Sequence, residues 1–240
     1  MSTPRVAFVA GATGYTGQAV VRHLVGLGVR AIAHVRPDSS RHSEWHSEFT
    51  SLGAEVCSAA WSGAELTEAV RDLGATEVYG LVGTTMKRAR ELGRRGGDAA
   101  AASHDAVDFG LTKHLVDACV AAGTRPWLVY LSSVGASPSA RGSYLRARGR
   151  AEAAVEASGL PWTTLRASFI TGPDRGESRP AERASAAVGD GVLALAALFG
   201  GRRLRDRYRS VTADDLAGLL VALPGQPERE GAVLTLDQLR

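Results

Sequence analysis

Gly11-Ala12-Thr13-Gly14-Tyr15-Thr16-Gly17 follows the apolar run Val6–Ala10 and opens an amphipathic stretch. Three glycines at this spacing, between a strand and a helix, form the turn that receives a dinucleotide pyrophosphate. The first permits a tight turn, the second lets the phosphates approach the backbone, and the third lets the helix pack closely on the strand. The helix that follows offers unpaired N–H groups and a partial positive charge. Gly11, Thr13, Gly14, Tyr15, Thr16 and Gly17 are therefore the expected phosphate-binding residues. The chain holds 28 glycines, enough for chance triplets, so the strand–turn–helix order carries the reading. The ribose-reading position is expected ~20 residues further on, where a second apolar run ends at Val35-Arg36-Pro37-Asp38. A carboxylate there would accept from a 2′-hydroxyl. Arg36 instead suits a 2′-phosphate, with Arg41 near enough to assist, and Asp38 comes two residues late behind a proline. The expected cofactor is NADP(H), with NAD the alternative; a solvated surface arginine is the plain reading of Arg36.

Such a turn needs a parallel sheet to carry it. The first half alternates short apolar runs with amphipathic stretches, the pattern of βαβ units. Strands are expected at Val6–Ala10, Val29–Val35, Ala54–Cys57, Val78–Val82, Trp127–Leu131 and Thr163–Arg166, with a last one at Val233–Leu236. Helices are expected at Tyr15–Leu27, Ser43–Leu52, Glu65–Leu73, Asp105–Ala122 and Ser143–Ala157. Ser62 is placed to cap the third helix, with Glu65 at capping-box spacing. The fold class is α/β, a doubly wound parallel sheet (Rossmann fold) with a small C-terminal substrate lobe. Residues 1–240 are expected to form one domain, with 171–240 contributing most of the lobe. In that part, Ala181–Phe199 reads as one or two helices and Thr212 as the cap of another.

Composition excludes several other classes. A 45% hydrophobic fraction over 240 residues is ordinary for a protein with a real core. The N-terminal apolar run is too short for a secretory signal, and Gly191–Phe199 falls far below the ~20 residues of a membrane span, so a cytoplasmic protein is expected. Cys57 and Cys119 suit small apolar fillers. The histidines show no metal-ligand spacing, and no metal is expected. Net charge is +3, and Lys87 and Lys113 are the only lysines. The basic runs Lys87–Arg95 and Arg202–Arg209 read as solvated faces rather than nucleic-acid sites. The expected partner is a small-molecule substrate, with neither nucleic acid nor membrane, and a homodimer is allowed.

With Gly11–Gly17, Leu131-Ser132-Ser133-Val134-Gly135, and Tyr144 eleven residues after Ser133, the chain resembles the short-chain dehydrogenase/reductase superfamily. It is most similar there to the atypical NmrA-like and Tat-interacting-protein-like NAD(P)-binding proteins. Gly83-Thr84-Thr85 and Leu165-Arg166-Ala167-Ser168 add to the likeness, which reaches to about Gly172. The resemblance implies that Ser133 polarises the substrate oxygen and that Tyr144 is the acid/base. A lysine four residues after the tyrosine would hold the nicotinamide ribose and lower the phenol pKa. Arg148 stands in that place: it keeps the charge but not the compact ammonium. The catalytic set is thus Ser133, Tyr144 and Arg148. Gly83, Thr84, Thr85, Ser132, Tyr144, Arg148, Ala167, Ser168 and Phe169 join the cofactor-binding set. The plain reading makes Tyr144 a half-buried helix residue, and Ser132 and Ser133 part of a loop that merely binds nicotinamide.

The resemblance implies an NADP(H)-dependent oxidoreductase acting on a small carbonyl or alcohol. The Arg148 departure sustains a rival from another class, a non-catalytic NADP(H)-sensing regulatory protein. A sugar-nucleotide epimerase-like enzyme shares fold and tyrosine but usually has a longer substrate domain. The fold alone does not separate these, because function lies in the site.

Overall fold

The apolar runs at the start of the chain become the central strands of a seven-stranded sheet, where residues are covered on both faces. The structure, a computed structural model, describes residues 4–84, 100, 103–168, 170–171 and 211–239. The strands are β1 (Val6–Ala10), β2 (Arg30–His34), β3 (Glu55–Cys57), β4 (Glu77–Gly80), β5 (Trp127–Ser133), β6 (Trp162–Ala167) and β9 (Ala232–Thr235). Their order is β3-β2-β1-β4-β5-β6-β9, every pair parallel. The chain winds outward from β1 to β3, then returns to the other side of β1 as β4. A parallel sheet that reverses direction in this way opens a crevice at the carboxyl ends of β1 and β4, where ligands bind.

Alternate residues of each strand feed two cores. Ala7, Val9, Ala31, Val129 and Leu165 face one side, covered by α1 (Tyr15–Gly26) and α6 (Ala213–Val221). Phe8, Ala10, Ile32, Val78 and Tyr130 face the other, where α3 (Gly63–Asp72), α4 (Thr112–Ala122) and α5 (Ser143–Glu156) lie; α2 (His42–Ser51) precedes β3. Each large apolar side chain fully buried here contributes about 1.5–3 kcal/mol. Ser62 caps α3 as expected, accepting from Glu65 N at 3.3 Å, while Glu65 Oε2 accepts from Ala60 N at 3.0 Å. Thr212 caps α6, accepting from Asp215 N at 3.1 Å.

Three of the boundaries that differ from the expectation have a visible cause. β5 continues past its apolar run to Ser133, because Ser132 and Ser133 still pair with Arg166 and Ala167 of β6. β4 begins at the charged Glu77, which is 2% exposed and accepts two hydrogen bonds from Arg5. The helix expected over Asp105–Ala122 starts as a π-helical turn, Asp105–Leu111, that runs into α4. Beyond residue 171, α6 packs on α1 and β9 joins β6, so residues 211–239 belong to the sheet and one of its cores. A short parallel pair, β7 (Ile170–Thr171) with β8 (Val211–Thr212), brings together the two ends of the segment between them. The helical reading of Ala181–Phe199 and the basic runs Lys87–Arg95 and Arg202–Arg209 lie outside the described residues.

Candidate active site

The turn after β1 has a division of labour among its glycines. Gly11 takes φ +87°, and a Cβ there would lie 2.7 Å from the Leu81 carbonyl carbon. A Cβ on Gly17 would lie 2.1 Å from Gly11 O, so helix and turn touch backbone to backbone. Gly14 is different. Its φ of −77° and ψ of 163° suit any residue, and a Cβ there would meet only Gly11 O, at 3.2 Å. Among the described residues nothing forces glycine at 14, which leaves open space over the turn. Gly14 gives α1 no side-chain cap, and the first turn of the helix carries no acidic residue. Its leading N–H groups therefore remain for a ligand. Thr13 O accepts from the Gln18 side chain at 3.1 Å, and Thr16 is buried.

Arg36 and Arg41 sit just beyond β2, both substantially exposed. Arg36 Nη1 lies 3.3 Å from Asp38 Oδ2, so the late carboxylate serves as its partner. Arg41 is paired to Glu44 at 2.6 Å, and its guanidinium lies 4.5 Å from the Trp45 ring centre. Below them His34, 3% exposed, lies against Phe8 and Trp61 and bonds through Nε2 to Ala59 O at 2.8 Å. A carbonyl only accepts, so that nitrogen carries the proton. Burial lowers the His34 pKa. This histidine, which pins the loop after β3 under the end of β2, is not singled out by any motif.

At the end of β5 the Ser133 loop is held from three directions. Val134 N donates to Ala167 O at 3.0 Å, Ser137 N donates to Leu145 O at 3.2 Å, and Arg166 donates to Ala136 O at 3.1 Å. Arg166 is itself fixed by Glu152 of α5, at 2.9 and 2.6 Å. Gly149 permits the contact: a Cβ there would lie 2.1 Å from the Ser137 carbonyl carbon. The serine loop and the α5 turn bearing Tyr144 are thereby one piece. Among the described residues the Ser133 hydroxyl makes only a long contact to Val134 O, 3.5 Å.

Tyr144 is half-buried, and the Arg148 guanidinium carbon lies 5.4 Å from its ring centre. Arg148 itself is 8% exposed, and its donors point inward. Nη1 donates to Tyr130 Oη at 3.2 Å and to Leu131 O at 2.9 Å. Nη2 lies 2.9 Å from Asp108 Oδ1, an ion-pair contact too bent to be a hydrogen bond. Burial opposes the charge, but the facing Tyr130, Tyr144 and Asp108 outweigh it and hold the guanidinium above its ordinary pKa. Gly83 rests on this group, since a Cβ there would lie 2.5 Å from Nη2. The glycine expected to face the cofactor is thus also required by the arginine beneath it. Asp108, fully buried, and His104, whose Nδ1 lies 2.9 Å from Asp108 Oδ2, complete the cluster. The resemblance points to neither; an acidic residue and a histidine four apart on an apolar helix face were the available signal. Ala167 is buried at the end of β6, with Ser168 next to it. Thr85 and Phe169 lie outside the described residues.

The residues present fit a dinucleotide. Gly14 leaves a cradle that a side chain would fill, and the buried hydroxyls Thr84 Oγ1 and Ser132 Oγ have no partner among the described residues. Buried hydroxyls in that state are costly unless something completes them. Among the described residues no group of three His, Cys, Asp or Glu is arranged to hold a metal ion, and no helix is long and apolar enough to cross a membrane.

A family model described as NAD(P)H-binding matches residues 11–194. The fold is shared with a Bacillus halodurans protein named for NAD-dependent epimerase/dehydratase activity, 18% identical, over 95% of this chain and 92% of that one, TM-score 0.62. It is also shared with Citrobacter sp. triphenylmethane reductase, solved with NADP(H), 20% identical over 96% and 69%, TM-score 0.62. A third likeness is to Bordetella bronchiseptica WbmH, solved with NAD+, 15% identical over 90% and 70%, TM-score 0.59. No curated protein sequence matches the chain.

Proposed function

Because the chain belongs to the NAD(P)H-binding family, we propose that it is an NADP(H)-dependent oxidoreductase of the atypical short-chain dehydrogenase/reductase type, acting on a small carbonyl or alcohol. The observation that carries this reading is Tyr144 standing over the charged Arg148, on a helix turn bonded to the Ser133 loop. A proton donor and a hydroxyl that can polarise an oxygen are thus fixed in one rigid unit at the carboxyl end of the sheet. When bound, the reduced nicotinamide supplies a hydride. Tyr144 Oη gives its proton to the substrate oxygen, and Ser133 Oγ donates a hydrogen bond to that oxygen while charge develops there. The α1 N-terminus and Gly14 would hold the pyrophosphate, and Arg36, now paired with Asp38, would meet a 2′-phosphate.

One observation favours a second reading, a cofactor sensor without turnover. Arg148 Nη1 is taken by Tyr130 and Leu131 and Nη2 faces Asp108, so these two groups do not stand free to hold a ribose. The deciding experiment follows NADPH oxidation by absorbance across a panel of small carbonyls, for wild type and Tyr144→Phe. The oxidoreductase reading requires wild-type turnover that Tyr144→Phe removes while cofactor affinity is spared. Turnover that survives Tyr144→Phe refutes the proton donor. Tight NADPH binding without turnover across the panel selects the sensor.

A further inference from the structure

His104 and Asp108 lie outside every motif that points to the site, yet His104 meets Tyr144 and Asp108 meets Arg148. Asp108 is 0% exposed and shares its carboxylate between two partners. Oδ2 accepts from His104 Nδ1 at 2.9 Å, and Oδ1 faces Arg148 Nη2 at 2.9 Å. The His104 ring in turn stands edge-on to Tyr144, centroids 5.2 Å apart at 61°. Tyr144 is therefore contacted by two groups, the imidazole and the guanidinium, and both are anchored on the same buried carboxylate. The anchor sits in a π-helical turn, a distortion that recurs at functional sites.

From this closed set of contacts we propose that His104 and Asp108 are positioning residues. They hold Arg148 and Tyr144 as one charge-balanced unit beneath the Gly83–Thr84 loop. The inference rests on the reading of Tyr144 as proton donor. Asp108 draws the guanidinium inward, away from the cofactor side, and cancels its charge at close range; a buried arginine without that anion would be left uncompensated. The inward pose also sets the height of Gly83, whose backbone rests on Nη2. His104 fixes the carboxylate with one edge and presents its ring to Tyr144, which limits the directions the phenol can take. Asp105, the other charged group of this turn, pairs with Arg150 of α5, which lies over Phe109.

Three variants separate positioning from simple structural support. Asp108→Asn keeps the shape and removes the anion. His104→Asn keeps a donor towards Asp108 and removes the ring facing Tyr144. His104→Phe keeps a ring against Tyr144 and removes the donor. Each is measured for NADPH affinity and stoichiometry, for kcat and KM per NADPH-binding site, and for the Tyr144 ring signals in the NMR spectrum, assigned with Tyr144→Phe. Positioning predicts that Asp108→Asn and His104→Asn lose on the order of 10- to 100-fold in kcat per site, with KM and NADPH affinity little changed and the Tyr144 ring signals shifted. His104→Phe should retain more of both properties than His104→Asn. Variants that bind NADPH stoichiometrically with wild-type kcat and unshifted Tyr144 signals overturn the proposal. Should the wild type itself prove inactive, the oxidoreductase reading fails, and the ring signals alone still decide whether Asp108 and His104 position Tyr144.

Discussion

Gly14 and Gly17 are three residues apart in one turn, and the structure assigns them opposite reasons for being glycine. A Cβ on Gly17 would lie 2.1 Å from Gly11 O and 2.8 Å from Ala12 Cα. Both are backbone atoms, so relief requires moving α1 away from β1. Overpacking of this kind costs about 1–3 kcal/mol, and backbone contact places Gly17→Ala near the upper end. For a domain of this size ~3 kcal/mol lowers Tm by roughly 6–12 °C. A Cβ on Gly14 would approach only Gly11 O, at 3.2 Å, on a backbone conformation any residue adopts. That small crowding is offset by the ~0.4–1 kcal/mol gained when glycine's freedom in the unfolded chain is reduced, so Gly14→Val should leave Tm within a few degrees. The same side chain occupies the space where a pyrophosphate meets the helix N-terminus, and NADPH binding should be lost. Thermal unfolding by circular dichroism together with NADPH titration by calorimetry reads both quantities. Retained NADPH affinity in a fully folded Gly14→Val protein would refute the assignment of this turn to the pyrophosphate. A Gly17→Ala protein as stable as wild type would refute the close packing of α1 on the turn.

Arg36→Ala should weaken NADPH and spare NADH; a charge-assisted bond to the 2′-phosphate is worth about 1.5–3 kcal/mol, and exposure with the competing Asp38 puts the loss near about tenfold. Equal losses for both cofactors in parallel titrations would remove Arg36 from that role. Burial lowers the His34 pKa below its ordinary 6.5, so the folded state binds the proton less readily than the unfolded chain. The stability this contributes is present above pH ~6.5 and is lost as pH falls through the lower folded-state value. His34→Gln should therefore flatten the fall of Tm over that acidic range, and an unchanged slope would contradict the assignment. Burial also pushes the Cys119 thiol up to about 12. A thiol reagent at mildly alkaline pH should thus leave Cys119 unmodified in the native protein and label it after denaturation, as mass spectrometry of the peptides would report; rapid native labelling would show the helix face to be open.

The phosphate turn and the strands were legible because their physics is local. Val6–Ala10 is apolar throughout as a doubly covered strand must be, and the three glycines stand at a spacing that only a strand–turn–helix requires. The cap of α6 was legible at Thr212 for the same reason. The end of β5 was not, because Ser132 and Ser133 are held in the strand by β6, a partner some thirty residues away. The surroundings of Arg148 were hidden more completely. Its position four residues after Tyr144 gave the expected charge, but the sequence carried no sign that the side chain turns inward to Asp108, Tyr130 and Leu131. That direction is set by β5 and the π-helical turn meeting over the sheet, and Asp108 alone reads as one more acidic residue on a helix. Asp38 sits two residues late for the ribose, and its carboxylate meets Arg36, a pairing that no motif announces.

In the proposed function, Tyr144 and Ser133 together form the proton-donating side of a nicotinamide site. A crystal structure of the protein with NADP+ tests it most directly. In that structure the pyrophosphate should lie on the N–H groups that follow Gly14, the 2′-phosphate beside Arg36, and the nicotinamide facing Tyr144 Oη and Ser133 Oγ across a space where a carbonyl can sit about 3–3.5 Å from the reacting carbon. A nicotinamide turned away from Tyr144, or a dinucleotide bound anywhere but along the carboxyl ends of β1 and β4, would contradict it.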